Sequence, residues 1–327
     1  MNFNAFIGNH EVKKQLQMLF EQNKVFHAIL LEGEEGIGKK TLANIIAQTA
    51  VCSHPEAGLA CEICSNCKKV QKGIHPDVIY PEKTGVLQGY SIATVRKIRA
   101  DAYIAANEAR CKVYIFSKVD NMGIPAQNAL LKVLEEPPEN VIFILTCTNS
   151  ANILPTIRSR TQQMALKSTS QQELHKYLLN KFPNESLDEI WQISKGNIGI
   201  ALDLITLSDW NKTVDITKKI ALSLVSSSEF ELLTLLAQVP NNKKDFTSML
   251  SFFSSMLRDA MILSEKSFIE ENDNCAKILS EKLSIKQILK LIDITYCAKK
   301  YVEKNVNLMS LVTFFCSSLF KISNSNL

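Results

Sequence analysis

The chain has 327 residues, too many for one small hydrophobic core, and we expect two or three domains. A hydrophobic fraction of 46% and a charged fraction of 21% are ordinary for a soluble globular protein. The net charge of +4 permits contact with nucleic acid but does not argue for it, because strong binders usually concentrate their basic charge.

The sequence favours a cytoplasmic protein. The first residues contain no basic region followed by an apolar segment, so we expect no secretory signal. The most apolar late stretch, Leu308 to Ile322, is interrupted by polar residues and predicts a buried helix instead of a membrane span. In a reducing compartment the nine cysteines are not expected to form disulfides, and a cluster among them indicates a metal site.

The stretch from Gly33 to Thr41 has the pattern of a phosphate-binding loop. A short apolar run at 28–31 precedes it, and a helical pattern at 42–47 follows it. Glycines let backbone N–H groups point at a phosphate, and the start of a helix adds positive potential. The candidate nucleotide contacts are therefore Gly33, Gly36, Gly38, Lys39 and Thr41.

Two features argue against a working ATPase site. The loop pattern requires a hydroxyl group directly after the lysine to hold Mg²⁺, but Lys40 occupies that position and the hydroxyl comes one residue late. The strand predicted at 113–116 runs into Ser117 and Lys118, where phosphate-loop ATPases carry an Asp and often a Glu. Asp120 lies three residues too far along to replace that pair.

Four cysteines form a candidate zinc site. Cys52 lies a short loop upstream of two overlapping C-x-x-C spacings formed by Cys61, Cys64 and Cys67. Four thiolates at this spacing can surround one tetrahedral Zn²⁺ and leave no open position, which predicts a structural site and no water activation. The alternatives are scattered core cysteines, or His54 as a substitute ligand.

The remaining signals predict a mixed N-terminal part and a helical C-terminal part. In chain order we expect a helix over 9–24, a strand over 78–80, a helix over 92–106, a helix from 125 ended by two prolines, and strands over 141–146 and 163–166. From Ser168 onward all signals are helical, beginning with a capping box formed by Ser170 and Glu173.

Three basic residues on the helix predicted at 92–106 are a candidate contact for DNA phosphates. Arg96, Lys97 and Arg99 lie off its apolar face. An ordinary solvated face is the alternative, and the pattern alone favours it.

Taken together, the motifs resemble bacterial DNA polymerase III clamp-loader subunits. They are the phosphate loop, C-x8-C-x2-C-x2-C, the run Asn-Ala-Leu-Leu-Lys-x-Leu-Glu-Glu-Pro-Pro that ends at Pro138, Ser159-Arg160 before the helical part, and Asn305-x-Asn307-x-x-Leu. The resemblance implies an α/β AAA+ P-loop module with a zinc-binding insertion. It also implies a small helical lid and an all-α C-terminal collar domain. We expect these parts at 1–167, 168–208 and 209–327.

The resemblance is to the delta-prime type of subunit, a stator, more than to the ATP-hydrolysing motor (gamma/tau) type. Lys40 and the Ser117-Lys118 pair are two reasons. The third is Gly199, which stands where motor subunits carry a nucleotide-sensing arginine. We therefore expect no intrinsic ATP hydrolysis, although nucleotide binding remains open.

The resemblance also implies partners and a role for Arg160. In this family a serine–arginine pair, here Ser159 and Arg160, reaches into a neighbouring subunit's ATP site, where the arginine acts as an arginine finger. The family usually continues with cysteine, and Thr161 departs from that. The expected partners are motor and delta subunits in a heteropentamer, the sliding clamp and primer–template DNA.

Three alternatives stay open at the level of sequence. Arg160 could cap a helix or pair with a surface carboxylate. The chain could be a competent motor that uses Lys39 and a shifted Thr41. It could also be a zinc-dependent nucleic-acid-binding module, although the residues between the cysteines carry no basic or aromatic side chains that would read nucleic acid.

Overall fold

The protein divides into two compact units. The computed structural model describes residues 3–22, 26–83, 89–182, 187–206, 210–226, 228–239, 242–264, 274–303 and 306–324. The first unit comprises Met1–Asn184 with Lys195–Gly199, and the second comprises Glu185–Ser194 with Ile200–Leu327. The finer division into module, lid and collar stays a prediction. Its boundary at 208 and the Asn305 of the C-terminal motif lie outside the described residues.

The first unit is built on a five-stranded parallel sheet. Its strands are β1 (Ala28–Glu32), β2 (Val78–Ile79), β3 (Lys112–Phe116), β4 (Val141–Cys147) and β5 (Gln162–Ala165). Their order across the sheet is β2-β3-β4-β1-β5, and every neighbouring pair is parallel. The strand predicted at 141–146 is confirmed as an interior strand, and the positions of the other predicted strands are confirmed to within a few residues.

Helices cover both faces of this sheet. They are α1 (His10–Glu21), α2 (Lys39–Val51), α3 (Ser65–Gln71), α4 (Ile92–Ala102), α5 (Ile124–Glu135) and α6 (Pro155–Arg158), and α7 (Gln171–Lys181) follows the last strand. Alternate residues of β1 point to opposite faces, so Ile29 packs with α1 and α2 while Leu30 packs with α4 and α5. Burial on both faces explains why the central strands are continuous apolar runs.

Two helices end before their predicted limits. The helix predicted over 9–24 ends at Glu21, and the helix predicted over 92–106 ends at Ala102. In the second case the chain turns so that the backbone N–H groups of residues 107–109 reach the buried carboxylate of Asp77, at 2.6 to 2.8 Å. The capping box at Ser170 is present as predicted.

The second unit is helical. Its helices are α8 (Leu187–Ser194), most of α9 (Ile198–Ile205), α10 (Trp210–Ser226), α11 (Glu229–Ala237), α12 (Lys243–Ser264), α13 (Asn274–Lys282), α14 (Ile285–Glu303) and α15 (Leu308–Ser323). Phe315 of α15 packs edge-on against Phe246 and Phe253 of α12. Asn307 caps α15 by accepting a hydrogen bond from the Ser310 N–H at 3.2 Å. No helix in the described residues is sufficiently long and apolar to span a membrane.

Candidate functional site

The phosphate-loop pattern forms a tight turn between β1 and α2. Gly36 and Gly38 have φ values of 85° and 99°, a backbone region that only glycine adopts readily. A Cβ atom on Gly38 would also lie 3.1 Å from the Phe6 ring. The loop therefore depends on its glycines for backbone conformation and for packing, and α2 begins directly after it at Lys39.

The loop lysine is bound to the loop itself. The Lys39 ammonium donates to the carbonyl oxygens of Gly33 and Glu34, the latter at 2.8 Å. Burial lowers the pKa of Lys39, while the nearby charge of Asp120 raises it. The lysine therefore lies over the loop, where a bound phosphate would replace the two carbonyl groups as its partner.

The helix start departs from a magnesium site in the way that the sequence predicts. Lys40 is exposed and Thr41 is half-buried, and both line the cavity beside the loop. Because successive residues of a helix are rotated by about 100°, the Thr41 hydroxyl lies a quarter-turn away from the position that the motif requires. This geometry favours the interpretation that the magnesium hydroxyl is missing.

The end of β3 carries no carboxylate. The Ser117 backbone is tied to the Tyr90 hydroxyl, which accepts its N–H at 2.8 Å and donates to its carbonyl at 3.1 Å. Lys118 has a φ of 58° and pairs with Glu35 of the phosphate loop. That hydrogen bond lowers the pKa of Glu35.

Asp120 binds backbone N–H groups of a neighbouring turn. One of its carboxylate oxygens accepts the N–H groups of Thr148 and Asn149 at 2.8 and 3.2 Å. This carboxylate therefore holds the turn that follows β4.

A short segment at 195–199 packs directly on the phosphate loop. The Asn197 side-chain amide donates to the Glu35 carbonyl at 2.7 Å, and the Gly199 N–H donates to the Gly36 carbonyl at 2.9 Å. A Cβ atom on Gly199 would lie only 2.6 Å from the Gly36 Cα. An arginine at position 199 is therefore incompatible with this packing. Gly199 lies in the first turn of α9.

A cavity of about 950 Å³ opens beside the loop. It is bounded by the loop, the start of α2, the end of α3, residues 80–83 and the ends of β3 and β4. Five lysines line it, and Glu35 is the only carboxylate among its described lining residues. The lysines are Lys39, Lys40, Lys72, Lys83 and Lys118. Sequence reasoning did not find Lys72 and Lys83, because they are far apart in the chain and belong to no motif.

The four predicted zinc ligands come together. The sulfur atoms of Cys52, Cys61, Cys64 and Cys67 all lie within 4.8 Å of one another. Tetrahedral Zn²⁺ with Zn–S bonds of about 2.3 Å would place its sulfurs about 3.8 Å apart, so the cluster fits this ion. All four cysteines are free thiols, and His54 is not part of the group.

The local backbone favours a thiolate at Cys64, whereas burial raises the pKa of Cys52 and of Cys67. The Cys61 N–H lies 3.3 Å from the Cys52 sulfur, and the Cys67 N–H lies 3.4 Å from the Cys64 sulfur. Burial opposes ionisation of Cys64, but hydrogen bonds led by the Cys67 N–H lower its pKa to about 6. The cluster is therefore compatible with a closed structural metal site.

Ser159 and Arg160 lie on the turn between α6 and β5, outside the set of residues that line the cavity. The Arg160 guanidinium donates to the Thr156 carbonyl at 3.0 Å and pairs with Glu135 at 3.1 Å. The Ser159 hydroxyl donates to the same Thr156 carbonyl at 3.1 Å. The arginine thus has the surface carboxylate partner that was one of our alternatives, and its side chain keeps 37% exposure.

The predicted basic cluster lies on α4. Arg96 and Lys97 are exposed and Arg99 is half-buried. None of the three has an ion pair with a described residue, so the geometry is compatible both with a solvated face and with a phosphate contact.

Comparison with known proteins finds relatives among subunits of DNA polymerase III. The family model described as DNA polymerase III, delta subunit, matches residues 8–170. The DNA polymerase III subunit gamma of Buchnera aphidicola subsp. Schizaphis graminum is 32% identical over 211 residues, which are 62% of this chain and 57% of that protein. Residues 8–170, just under half of the chain, are thus similar to DNA polymerase III clamp-loader subunits.

Other relatives agree with this clamp-loader assignment. The DNA polymerase III subunit delta-prime of Bacillus subtilis is 28% identical over 193 residues, which are 59% of this chain and 58% of that protein. The chain thus spans a little over half the length of each of these two relatives. A gamma subunit-related protein of Thermotoga maritima has the same fold, with a TM-score of 0.51 and 15% identity over 95% of this chain and 99% of that structure.

Proposed function

We propose that the chain is a delta-prime-like stator subunit of the replicative clamp loader. In this role it assembles with motor (gamma/tau) subunits and a clamp-opening delta subunit, and it helps to load the sliding clamp on primed DNA. It binds a structural zinc ion through the Cys52–Cys67 cluster. It does not hydrolyse ATP itself.

The observation that carries the proposal is the composition of its own phosphate site. Lys40 replaces the magnesium hydroxyl, Lys118 follows β3 where a water-positioning base is needed, and Gly199 packs on Gly36 where a nucleotide-sensing arginine would have to fit. Each change removes a different requirement of phosphoryl transfer, namely the metal, the base and the contact to the nucleotide. Three independent losses favour a subunit that has given up hydrolysis.

Arg160 is the residue through which we propose that the chain contributes to ATP hydrolysis in a neighbouring subunit. Its guanidinium uses three of its five N–H donors on Thr156, Ser159 and Glu135, which leaves two for a phosphate of a neighbouring subunit. All of the bound partners belong to this chain, so the side chain is held in one orientation before assembly. An arginine finger supplied in trans accelerates phosphoryl transfer by roughly 10³ to 10⁵.

The alternative is a hydrolysing motor subunit of the gamma/tau type. It has support from the comparisons, because the gamma relative is 32% identical whereas the delta-prime relative is 28% identical. That difference is small, and overall identity does not report on the individual residues of the phosphate site.

ATP hydrolysis separates the two candidates. We expect no turnover by the purified chain alone, and ATP hydrolysis by a complex reconstituted with motor and delta subunits. In that complex, Arg160→Ala should lower the rate at least tenfold, and Arg160→Lys should recover little, because lysine lacks the planar fork. Arg96→Ala, assayed without DNA, is the matched control and should leave the rate unchanged.

Two outcomes would contradict the proposal. Magnesium-dependent turnover by the isolated chain that is abolished by Lys39→Ala would identify a motor subunit. A complex with Arg160→Ala that assembles normally and keeps its full rate would show that Arg160 is not an arginine finger. The chain would then be a purely architectural stator.

A further inference from the structure

The cavity beside the phosphate loop has an unusual balance of charge. Five lysines and one carboxylate line it among the described residues. An ATPase site brings a lysine, a magnesium ion and carboxylates together, so that its charges nearly cancel around the nucleotide phosphates. Here the cavity has more lysines than an ATPase site requires, and the carboxylates of the metal site are missing.

Two of these lysines occupy the positions that serve magnesium in the motif. Lys40 takes the place of the metal-binding hydroxyl at the start of α2, and Lys118 lies at the end of β3 in place of an acidic pair. A divalent cation would meet ammonium groups here instead of oxygen ligands, and hard cations such as Mg²⁺ require oxygen. The site is thus unsuited to Mg²⁺ but carries comparable positive charge on its own side chains.

The lysines repel one another in the absence of an anion. Burial lowers the pKa of Lys83, and the charges of Lys118 and Lys40 lower it further. Glu35 offsets part of this charge through its pair with Lys118. An anion bound among these groups would relieve the repulsion, because opposite charge favours the protonated form of lysine.

Backbone donors are available at the same place. The first hydrogen bond within α2 runs from the Leu42 N–H to the Gly38 carbonyl at 2.9 Å. The N–H groups of residues 39–41 therefore precede the helical ladder and have no acceptor within it. Together with the Lys39 ammonium, which is satisfied only by carbonyl groups of the loop, they can bind phosphate oxygens.

We propose that this cavity binds the phosphate chain of a di- or triphosphate without a divalent cation, with Lys40, Lys83 and Lys118 in the place of Mg²⁺. The phosphate chain could come from a nucleotide or from an inorganic oligophosphate, since both present the same oxygens. Binding would lock the loop without hydrolysis, because Glu35, the one carboxylate among the described lining residues, is paired with Lys118 and the end of β3 carries no base. The inference concerns the loop of this chain and holds whether or not Arg160 acts in another subunit.

The test is calorimetric titration of the zinc-loaded chain with sodium tripolyphosphate and with ATP, each in a buffer freed of divalent cations by a chelating resin before the protein is added, and in magnesium chloride. We expect saturable binding in the magnesium-free buffer that is at least as tight as in magnesium and that weakens as salt is added. Equal affinities would assign the site to the phosphate chain alone, and tighter binding of ATP would assign it to a nucleotide. Both results support the proposal.

Lysine variants locate the binding. Lys83→Gln and Lys118→Gln should each weaken tripolyphosphate binding in the magnesium-free buffer by about tenfold, the effect of losing one close charge pair. Lys14→Gln, at an exposed position on α1 outside the cavity, is the matched control and should bind as the unmodified chain does. Melting temperatures without ligand should agree among all four proteins, and tripolyphosphate should raise that of the unmodified chain.

Three results would overturn the proposal. The first is no saturable binding of either phosphate compound in the magnesium-free buffer, and the second is binding that requires magnesium. The third is unchanged affinity in both Lys83→Gln and Lys118→Gln.

Discussion

The contact between Gly199 and the phosphate loop predicts that Gly199→Ala destabilises the protein, whereas helix propensity alone predicts that it stabilises the protein. Gly199 lies in the first turn of α9, and its N–H donates to the Gly36 carbonyl at 2.9 Å. In Gly199→Ala the new Cβ would lie 2.6 Å from the Gly36 Cα and 2.8 Å from its carbonyl oxygen. Both atoms are backbone, so they cannot rotate away as a side chain would.

The two effects have opposite signs. Helix propensity alone predicts that alanine stabilises a helix by about 1 kcal/mol relative to glycine. Overpacking against a fixed neighbour costs about 1–3 kcal/mol, and loss of the Gly199 hydrogen bond adds about 1 kcal/mol. The net expectation is a loss of roughly 1–3 kcal/mol, or a fall in melting temperature of about 2–12 °C for a unit of this size.

Thermal unfolding followed by circular dichroism measures the total effect, and amide hydrogen exchange in the peptide that contains Gly36 measures the local one. Exchange there should accelerate in Gly199→Ala and accelerate further in Gly199→Arg. Ile200→Ala, an exposed substitution at the next position, should leave both readings nearly unchanged. A melting temperature for Gly199→Ala that equals or exceeds that of the unmodified chain would refute the packing argument.

Three further predictions concern the metal, the acid dependence and the arginine. Cys64→Ser should abolish the binding of one zinc ion per chain and open its loop to proteolysis, as measured by metal analysis and limited digestion; unchanged zinc content would reject the four-cysteine site. Burial raises the pKa of Asp77, but the N–H groups of residues 107–109 outweigh it, so the folded pKa is depressed. Its stabilisation is present above the unfolded pKa of about 3.9 and is lost as pH falls through the folded value. Urea unfolding of Asp77→Asn should therefore depend less on pH below about 4 than that of the unmodified chain, and an identical acid profile would argue against this role. Glu135→Ala should lower ATP hydrolysis by the reconstituted complex about threefold, since exposed ion pairs contribute about 0.2–1 kcal/mol. Glu135→Ala should have no further effect in an Arg160→Ala background. Additive losses there would show that Glu135 does not act through Arg160.

Patterns among neighbouring residues were sufficient to predict the strands of the sheet and the candidate zinc ligands. The apolar runs of β1, β3 and β4 are buried on both faces, so their signal is continuous and does not depend on distant partners. The cysteines from Cys52 to Cys67 lie within one loop, and their spacing alone restricts how they can meet. In both cases the information is contained in neighbouring residues.

Contacts between distant segments could not be predicted in the same way. Asn197 and Gly199 are more than 160 positions away from Glu35 and Gly36 in the chain, and no periodic pattern reveals that they touch. The Glu135–Arg160 pair is of the same kind, because opposite charges are common on surfaces and only the fold selects this pair. The early end of α4 depended on the buried carboxylate of Asp77, which lies 25 residues before Ala102.

The changes at the metal-binding positions of the phosphate site introduce positive charge, and this bears on how the site arose. If hydrolysis had simply been lost, the metal-binding positions would be expected to hold small or neutral residues, because any residue without oxygen ligands abolishes magnesium binding. Two of them instead hold lysines, and Lys72 and Lys83 contribute further cations to the same cavity from separate segments. Burial is the main cause of the lowered pKa of Lys83, and the charges of Lys118 and Lys40 lower it further, so gathering cations here carries a cost in repulsion that a bound anion would relieve. The arrangement therefore favours a site that exchanged its metal for side-chain charge over one that merely decayed.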